Sequence, residues 1–292
     1  MILIADSGST HTDWVFIEKD EHEKKYQTAG FNPYYVPSHE MVNSLEKNLV
    51  PFVNNGAVRY VYFYGSGCST DKKRFIVEEA LGKVFPNAHT EVNHDLLGAA
   101  RGLFNDRPGI ACILGTGSNS CLYDGTGIRE NIPSLGYFFG DEGSSAHIGR
   151  LFLTALLRKD LPVHILEEFE EAYSYNLEDI LDAVYNQPRP NRFLGSFMPF
   201  IAGYREDPMI HALIFRSFDE FIQEQVIRYT DYQDYTVSYV GSVAYHMKNL
   251  LTDVAGQYDL SIGDIHADPL DGLIKYHQPD ILRYIDMGDF DR

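Results

Sequence analysis

Short apolar runs alternate with amphipathic stretches along this chain, and the alternation starts twice. In the first half, Ile2-Leu3-Ile4-Ala5, Asp13-Trp14-Val15-Phe16-Ile17 and Lys25-Tyr26-Gln27-Thr28-Ala29 read as three strands joined by short turns. Ser38 stands where it can cap a helix reaching about residue 50, and residues 58–64 form a clear buried strand. A helix near 71–84, a short strand at 89–92 and a helix from Asp95 to Phe104 complete the order βββαβαβα. From Gly109 the pattern restarts with two strands, then helices near 142–158, 162–172, 176–186 and 190–204. Asp207-Pro208 is a cap followed by proline at the first helical position, and Ile210, Leu213, Ile214, Phe218, Phe221 and Ile222 mark one helical face after it. A strand at 236–240, a helix from Ser242, a strand near 258–262 and helices from about 269 close the chain.

Two such halves predict two related α/β domains, 1–106 and 107–292, with a cleft between them and with the last helix free to pack back on the first domain. The polar turn Asn105-Asp106-Arg107-Pro108-Gly109 sets the boundary. With 292 residues, 44% hydrophobic and 13% aromatic, both domains can fill a core. A formal charge of −18 opposes nonspecific binding to nucleic acid or to an anionic membrane. No window approaches eighteen apolar residues and the N-terminus opens directly into a strand, so a cytoplasmic location is expected. The three cysteines, Cys68, Cys112 and Cys121, lack CxxC spacing and read as buried thiols. Eleven histidines show no metal-ligand spacing, so no structural zinc site is expected.

Two glycine-and-hydroxyl turns carry the candidate chemistry. Ala5-Asp6-Ser7-Gly8-Ser9-Thr10 and Leu114-Gly115-Thr116-Gly117-Ser118-Asn119-Ser120 each follow an apolar run and each lead into another strand. Glycine lets the backbone approach a ligand, while hydroxyls and successive N–H groups offer donors to phosphate oxygens. Neither turn is of the Walker type, which needs glycine-lysine-serine/threonine, nor the dinucleotide fingerprint, which needs a helix next. Either alone is an ordinary hairpin; two facing each other could grip one polyphosphate. Asp95, at a strand-to-helix transition, could take the proton of an attacking hydroxyl or simply cap its helix. The segment 136–145 joins two carboxylates and three glycines to a helix start, where Asp141 could bind sugar hydroxyls or support metal-bound water. Val240-Gly241-Ser242-Val243-Ala244 is a strand, a glycine turn and a helix start that could press against adenine or ribose. Gly30-Phe31-Asn32-Pro33 and Gly65-Ser66-Gly67-Cys68 end strands that can line a cleft.

The segments ADSGSTHTDW, ILGTGSNS, LGYFFGDEGSSAHIGR and VGSVA, spread through most of the chain, resemble the N-acetylglucosamine kinase type of the BadF/BadG/BcrA/BcrD ATPase family, within the actin, sugar-kinase and chaperone ATPase superfamily. The resemblance implies two actin-like (ribonuclease H-like) domains closing on ATP·Mg²⁺ and an amino sugar, most often as a homodimer. It makes Asp95 the catalytic base and Asp6 the acid that holds Mg²⁺. Gly8, Ser9 and Thr10 become the first phosphate contacts, Gly115, Thr116 and Gly117 the second, and Gly241 and Ser242 the adenosine contacts. Asn32, Ser66, Asn119 and Asp141 fall where similar kinases bind the sugar. Phosphoryl transfer to the 6-hydroxyl of N-acetylglucosamine is the activity implied. The family commonly has threonine-lysine-threonine where this chain has Thr10-His11-Thr12, which replaces a fixed positive charge. Other readings on the same fold are an ATPase activator of a radical dehydratase, which needs cluster-binding cysteines, and a noncatalytic sugar or nucleotide sensor.

Overall fold

The computed structural model describes residues 1–18 and 23–286. The chain divides into two compact units, one made of Met1–Gly109, Tyr123–Ile128 and the residues from Asp268 onward, the other of Ile110–Leu122 and Arg129–Ala267.

The first unit is built on strands β1 (Ile2–Ser7), β2 (His11–Ile17), β3 (Glu23–Ala29), β4 (Tyr60–Gly65) and β5 (His89–His94), in the sheet order β3-β2-β1-β4-β5. β1 pairs antiparallel with β2 and β2 with β3, whereas β1, β4 and β5 are parallel. Successive strand residues point to opposite faces, and here both faces are covered, which is why β1 and β4 read as continuous apolar runs. Leu3, Ala5, Trp14, Phe16, Val61 and Phe63 join one core, which also takes in residues of helices α1 (Ser38–Asn48) and α2 (Asp71–Val84). Ile2, Ile4, Val15, Ile17, Tyr62 and Tyr64 face the other way. The helix after β5 is α3 (Asp95–Phe104). The cap of α1 is Pro37, with no side-chain bond, so Ser38 does not cap it as expected; Thr70 does cap α2 by accepting from the Lys73 N–H.

The second unit holds a sheet in the order β10-β9-β6-β7-β8. Its strands are β6 (Gly109–Leu114), β7 (Ser118–Tyr123), β8 (Ile128–Glu130), β9 (Thr236–Val240) and β10 (Ser261–His266), with β6, β9 and β10 parallel. Helices α4 (Gly136–Phe139), α5 (Ser145–Arg158), α6 (Val163–Ala172), α7 (Leu177–Tyr185), α8 (Pro190–Gly195), α9 (Met198–Gly203) and α10 (Pro208–Phe221) follow β8. The single helix expected over 190–204 is two, because Pro199 fits only a first turn and starts α9 afresh. Asp207 caps α10 as expected, accepting from the Met209 and Ile210 N–H groups. After β9 come α11 (Ser242–His246) and α12 (Lys248–Gly256).

The chain then returns to the first unit. α13 (Leu270–Tyr276) and α14 (Gln278–Asp286) set Leu270, Leu273 and Ile281 against Ile2, Ile4 and Tyr62, completing the second core face of that sheet. α13 lies so close to α3 that a Cβ at Gly272 would come within 1.8 Å of the Gly102 carbonyl. All three cysteines are buried. Among the described residues no helix is long and apolar enough to cross a membrane.

Candidate functional site

In the first unit, Ser7 lies opposite Gly65 and Gly65 opposite His94, so the residues that follow β1, β4 and β5 meet at one edge of the sheet. The carboxyl ends of parallel strands are where open α/β sheets bind ligands. The Gly8 N–H donates to the His11 carbonyl at 3.0 Å and closes the turn between β1 and β2. Ser7 is buried beneath it, its Oγ 2.7 Å from Thr12 Oγ1 and accepting from the Phe31 N–H at 3.1 Å. Behind the turn runs Gly30, where a Cβ would stand 2.4 Å from the Gly8 carbonyl oxygen. Only glycine permits that approach. Ser9 Oγ is 3.4 Å from Ser66 Oγ, and Asn32 Nδ2 donates to the same Ser66 oxygen at 3.3 Å. Three of the predicted residues, Ser9, Asn32 and Ser66, are thus brought together, and Thr10 lies exposed at the tip of the turn.

Asp95 opens α3, with His94 at the N-cap position and its Nδ1 3.2 Å from the Leu96 nitrogen. Asp95 Oδ1 accepts from the same N–H at 2.8 Å and lies 3.0 Å from His94 Nδ1. Its Oδ2 has no hydrogen bond among the described residues. For His94, burial favours the neutral ring, yet the charge and hydrogen bond of Asp95 outweigh it and raise the pKa.

Asp6 is a partly exposed carboxyl in crowded surroundings. Burial, followed by the negative charges of Asp95, Asp268 and Asp13, pushes its pKa up to about 8, with His11 opposing. Among the described residues no three His, Cys, Asp or Glu side chains are grouped to hold a metal by themselves. One carboxylate fits Mg²⁺, which commonly takes one or two protein ligands and completes its shell with water and phosphate oxygens. Asp268 was not legible in the sequence as a site residue: its Oδ1 accepts from the Leu270 N–H just ahead of α13, and its charge reaches Asp6 only because the C-terminal segment folds back. His11 pairs with Asp13 at 3.1 Å; that hydrogen bond is the first of the effects raising its pKa, with the charges of Asp6 and Asp268 adding to it.

In the second unit the turn after β6 is closed by the Gly115 N–H donating to the Gly117 carbonyl at 2.9 Å. The first N–H groups of α5 hold it: Ser145 donates to the Gly115 carbonyl at 2.9 Å and Ala146 to that of Thr116 at 3.3 Å. Ser144 caps the helix by accepting from the His147 N–H. Asp141 lies against this turn, its Oδ1 accepting from the Ser118 N–H at 3.3 Å, and a Cβ at Gly117 would sit 3.0 Å from its Oδ2. Burial raises the Asp141 carboxyl to about 6 against the pull of that N–H, with Glu142 adding to the rise. Gly241 follows β9 with a φ of 117°, and a Cβ there would stand 2.3 Å from the Leu114 carbonyl oxygen, so the adenosine-type turn abuts the start of the phosphate-type turn. Ser242 is exposed beside it. Asn119 is not part of the Asp141 contact: its Oδ1 accepts from Asn131 Nδ2 at 3.0 Å. His147 is buried, with Nδ1 2.8 Å from Ser217 Oγ, and Trp14 is fully buried in the first unit.

No family model and no curated protein matches the chain. Solved structures do. A protein from Porphyromonas gingivalis described as a candidate N-acetylglucosamine kinase is 42% identical, covers 96% of this chain and 99% of its own, and superposes with a TM-score of 0.92. A protein of the same description from Chromobacterium violaceum covers 94% and 98% at 17% identity, with a TM-score of 0.69. A candidate N-acetylmannosamine kinase from Listeria monocytogenes covers 97% and 99% at 12% identity and 0.52.

Proposed function

Because the chain belongs to the sugar-kinase family of the actin-like ATPase superfamily, we propose that it transfers the γ-phosphate of ATP to a hydroxyl of an amino sugar, with N-acetylglucosamine and its 6-hydroxyl as the leading acceptor. The observation that carries the reading is Asp95, a carboxylate with one unengaged oxygen at the same strand-end edge as Ser9, Asn32 and Ser66. Asp95 orients the acceptor hydroxyl and takes its proton as the new bond to phosphorus forms. Asn32 and Ser66 hold the sugar beside it. Ser9 and Thr10 donate to one set of phosphate oxygens and Thr116 and Gly117 to another, while Gly8 and Gly115 shape the two turns through their own backbone bonds, so that the donors meet the charge developing on the transferred group. Gly241 and Ser242 take the adenosine. When bound, Mg²⁺ on Asp6 supplies charge neutralisation of the phosphates. The dehydratase-activator reading loses its support, since all three cysteines are buried within the fold.

The test is ATP-dependent phosphorylation across a panel of amino sugars, run with the wild type and with Asp95→Asn. The expected result is a single phosphorylated product and a loss of about 10²- to 10⁴-fold in turnover for the variant, with nucleotide binding retained. Near-normal turnover of Asp95→Asn overturns the assignment of the base. Nucleotide binding without product from any sugar moves the chain to the sensor class.

A further inference from the structure

His94 and Asp95, adjacent in the chain, also meet through their side chains. His94 closes β5 in extended backbone, with φ −69° and ψ 143°, and Asp95 begins α3. The neighbour of His94 on β4 is Gly65, which puts no side chain beside the ring. The two side chains are 24% and 21% exposed, so most of each is shielded from water. Nδ1 of His94 lies 3.0 Å from Asp95 Oδ1 and 3.2 Å from the Leu96 nitrogen, while that nitrogen is only 2.8 Å from Oδ1.

A ring nitrogen either donates or accepts. An unprotonated Nδ1 would set its lone pair against a carboxylate oxygen at 3.0 Å, whereas a protonated one donates to it. The Leu96 N–H has its nearer acceptor in Oδ1, so the proton belongs on Nδ1. Such a bond is what selects the tautomer of a histidine. Burial and the Arg74 charge from α2 both oppose protonation of the ring, and the Asp95 carboxylate outweighs them. Oδ1 of Asp95 therefore takes two donors, from the strand end and from the first turn of the helix, while Oδ2 has none among the described residues. The last torsion of an aspartate is broad, so a single N–H leaves the carboxyl plane free to swing. The second donor stops it and holds Oδ2 in one place.

We infer that His94 is the positioning residue of the proposed base, its Nδ1–H fixing the Asp95 carboxylate so that Oδ2 meets the acceptor hydroxyl. This role rests on the kinase reading. His94→Phe keeps a ring without the donor and should lower kcat roughly ten- to a hundredfold, with the KM for ATP and for the sugar nearly unchanged. His94→Asn carries an amide N–H as many bonds from Cα as Nδ1 and should recover most of the loss; His94→Gln, whose amide stands one bond further out, should not. Long-range proton–nitrogen NMR of the neutral His94 ring should show the proton on Nδ1 in the wild type and on Nε2 in Asp95→Leu, where Nδ1 turns to accept from the Leu96 N–H. A wild type that gives no product with any sugar fails the kinase reading, and this role with it. In an active enzyme, full kcat in His94→Phe, no recovery in His94→Asn, or a wild-type ring protonated on Nε2 overturns this inference alone; the second of these outcomes would make the imidazole itself the base.

Discussion

Tyr64 and His277, 213 residues apart in the chain, share a buried hydrogen bond of 2.9 Å. Arg101 Nη1 can only donate, and it donates to the Tyr64 oxygen at 2.9 Å. The phenol O–H therefore donates to Nε2 of His277, whose ring stacks on Tyr62 at 3.8 Å between centroids. Tyr62 in turn donates to Asp280 at 3.1 Å. Hydrogen bonds and one ring stack thus tie α3 and β4 to α14 and to the junction before it.

Removing the Tyr64 hydroxyl leaves the guanidinium and the imidazole each short of a partner in a buried place. Tyr64→Phe should lower the stability of the first unit by about 1–3 kcal/mol, the cost of unsatisfied buried groups, without changing the packing of Gly98 against the ring. Thermal unfolding followed by circular dichroism measures it; an unchanged midpoint would mean water takes over both bonds.

Burial holds His277 and His147 neutral, with pKa values lowered to about 4. An unfolded histidine titrates near 6.5. The unfolded chain therefore binds more protons in between, and these two groups lose stability for the fold as pH falls from about 6.5 toward 4. The unfolding midpoint of His277→Gln should fall less over that range than that of the wild type. Parallel curves for the two proteins would reject the buried neutral ring.

Asp6 works in the opposite sense. Its carboxyl, raised to about 8, must ionise against its neighbours, so the metal-free fold loses stability as pH rises from about 4 toward 8. Mg²⁺ should raise the unfolding midpoint most at the alkaline end of this range. Asp6→Asn should be the more stable protein without metal and should lose the Mg²⁺ response; a variant that still responds would place the cation elsewhere.

His11 stands where a lysine is expected, and its hydrogen bond to Asp13, together with the charges of Asp13, Asp6 and Asp268, holds its proton to higher pH than a free imidazole would. On the proposed function, the KM for ATP should rise as pH climbs through that raised value and the ring loses its charge. His11→Lys should keep the KM flat over the same range. An equal pH dependence in both proteins would show that position 11 does not meet the phosphates.

Most strands were legible because burial on both faces leaves no polar positions: β1 and β4 announce themselves as apolar runs. β10 was misplaced for the converse reason. It lies at Ser261–His266 rather than near 258–262, its register breaks between Ile262 and Ile265, and four of its six residues are exposed. β8, at Ile128–Glu130, is exposed throughout and left no trace in the pattern. The two glycine turns were legible from local chemistry, as was Asp95 at the end of β5. Asp268 was not, since its influence on Asp6 spans more than 260 residues and leaves no mark in the sequence around it. Likewise no spacing could show that Asp141 would brace Gly117 and Ser118, or that Asn119 would be engaged by Asn131.

The return of α13 and α14 to the first sheet sets an order on synthesis. Until residues 268–286 have been made, Leu270, Leu273 and Ile281 are missing from the face that carries Ile2, Ile4 and Tyr62, and the opening strands must wait, half-dressed, while the second unit is made. A nascent chain in that condition is a natural client for a chaperone, and a premature stop near codon 268 would cripple the beginning of the protein rather than its end.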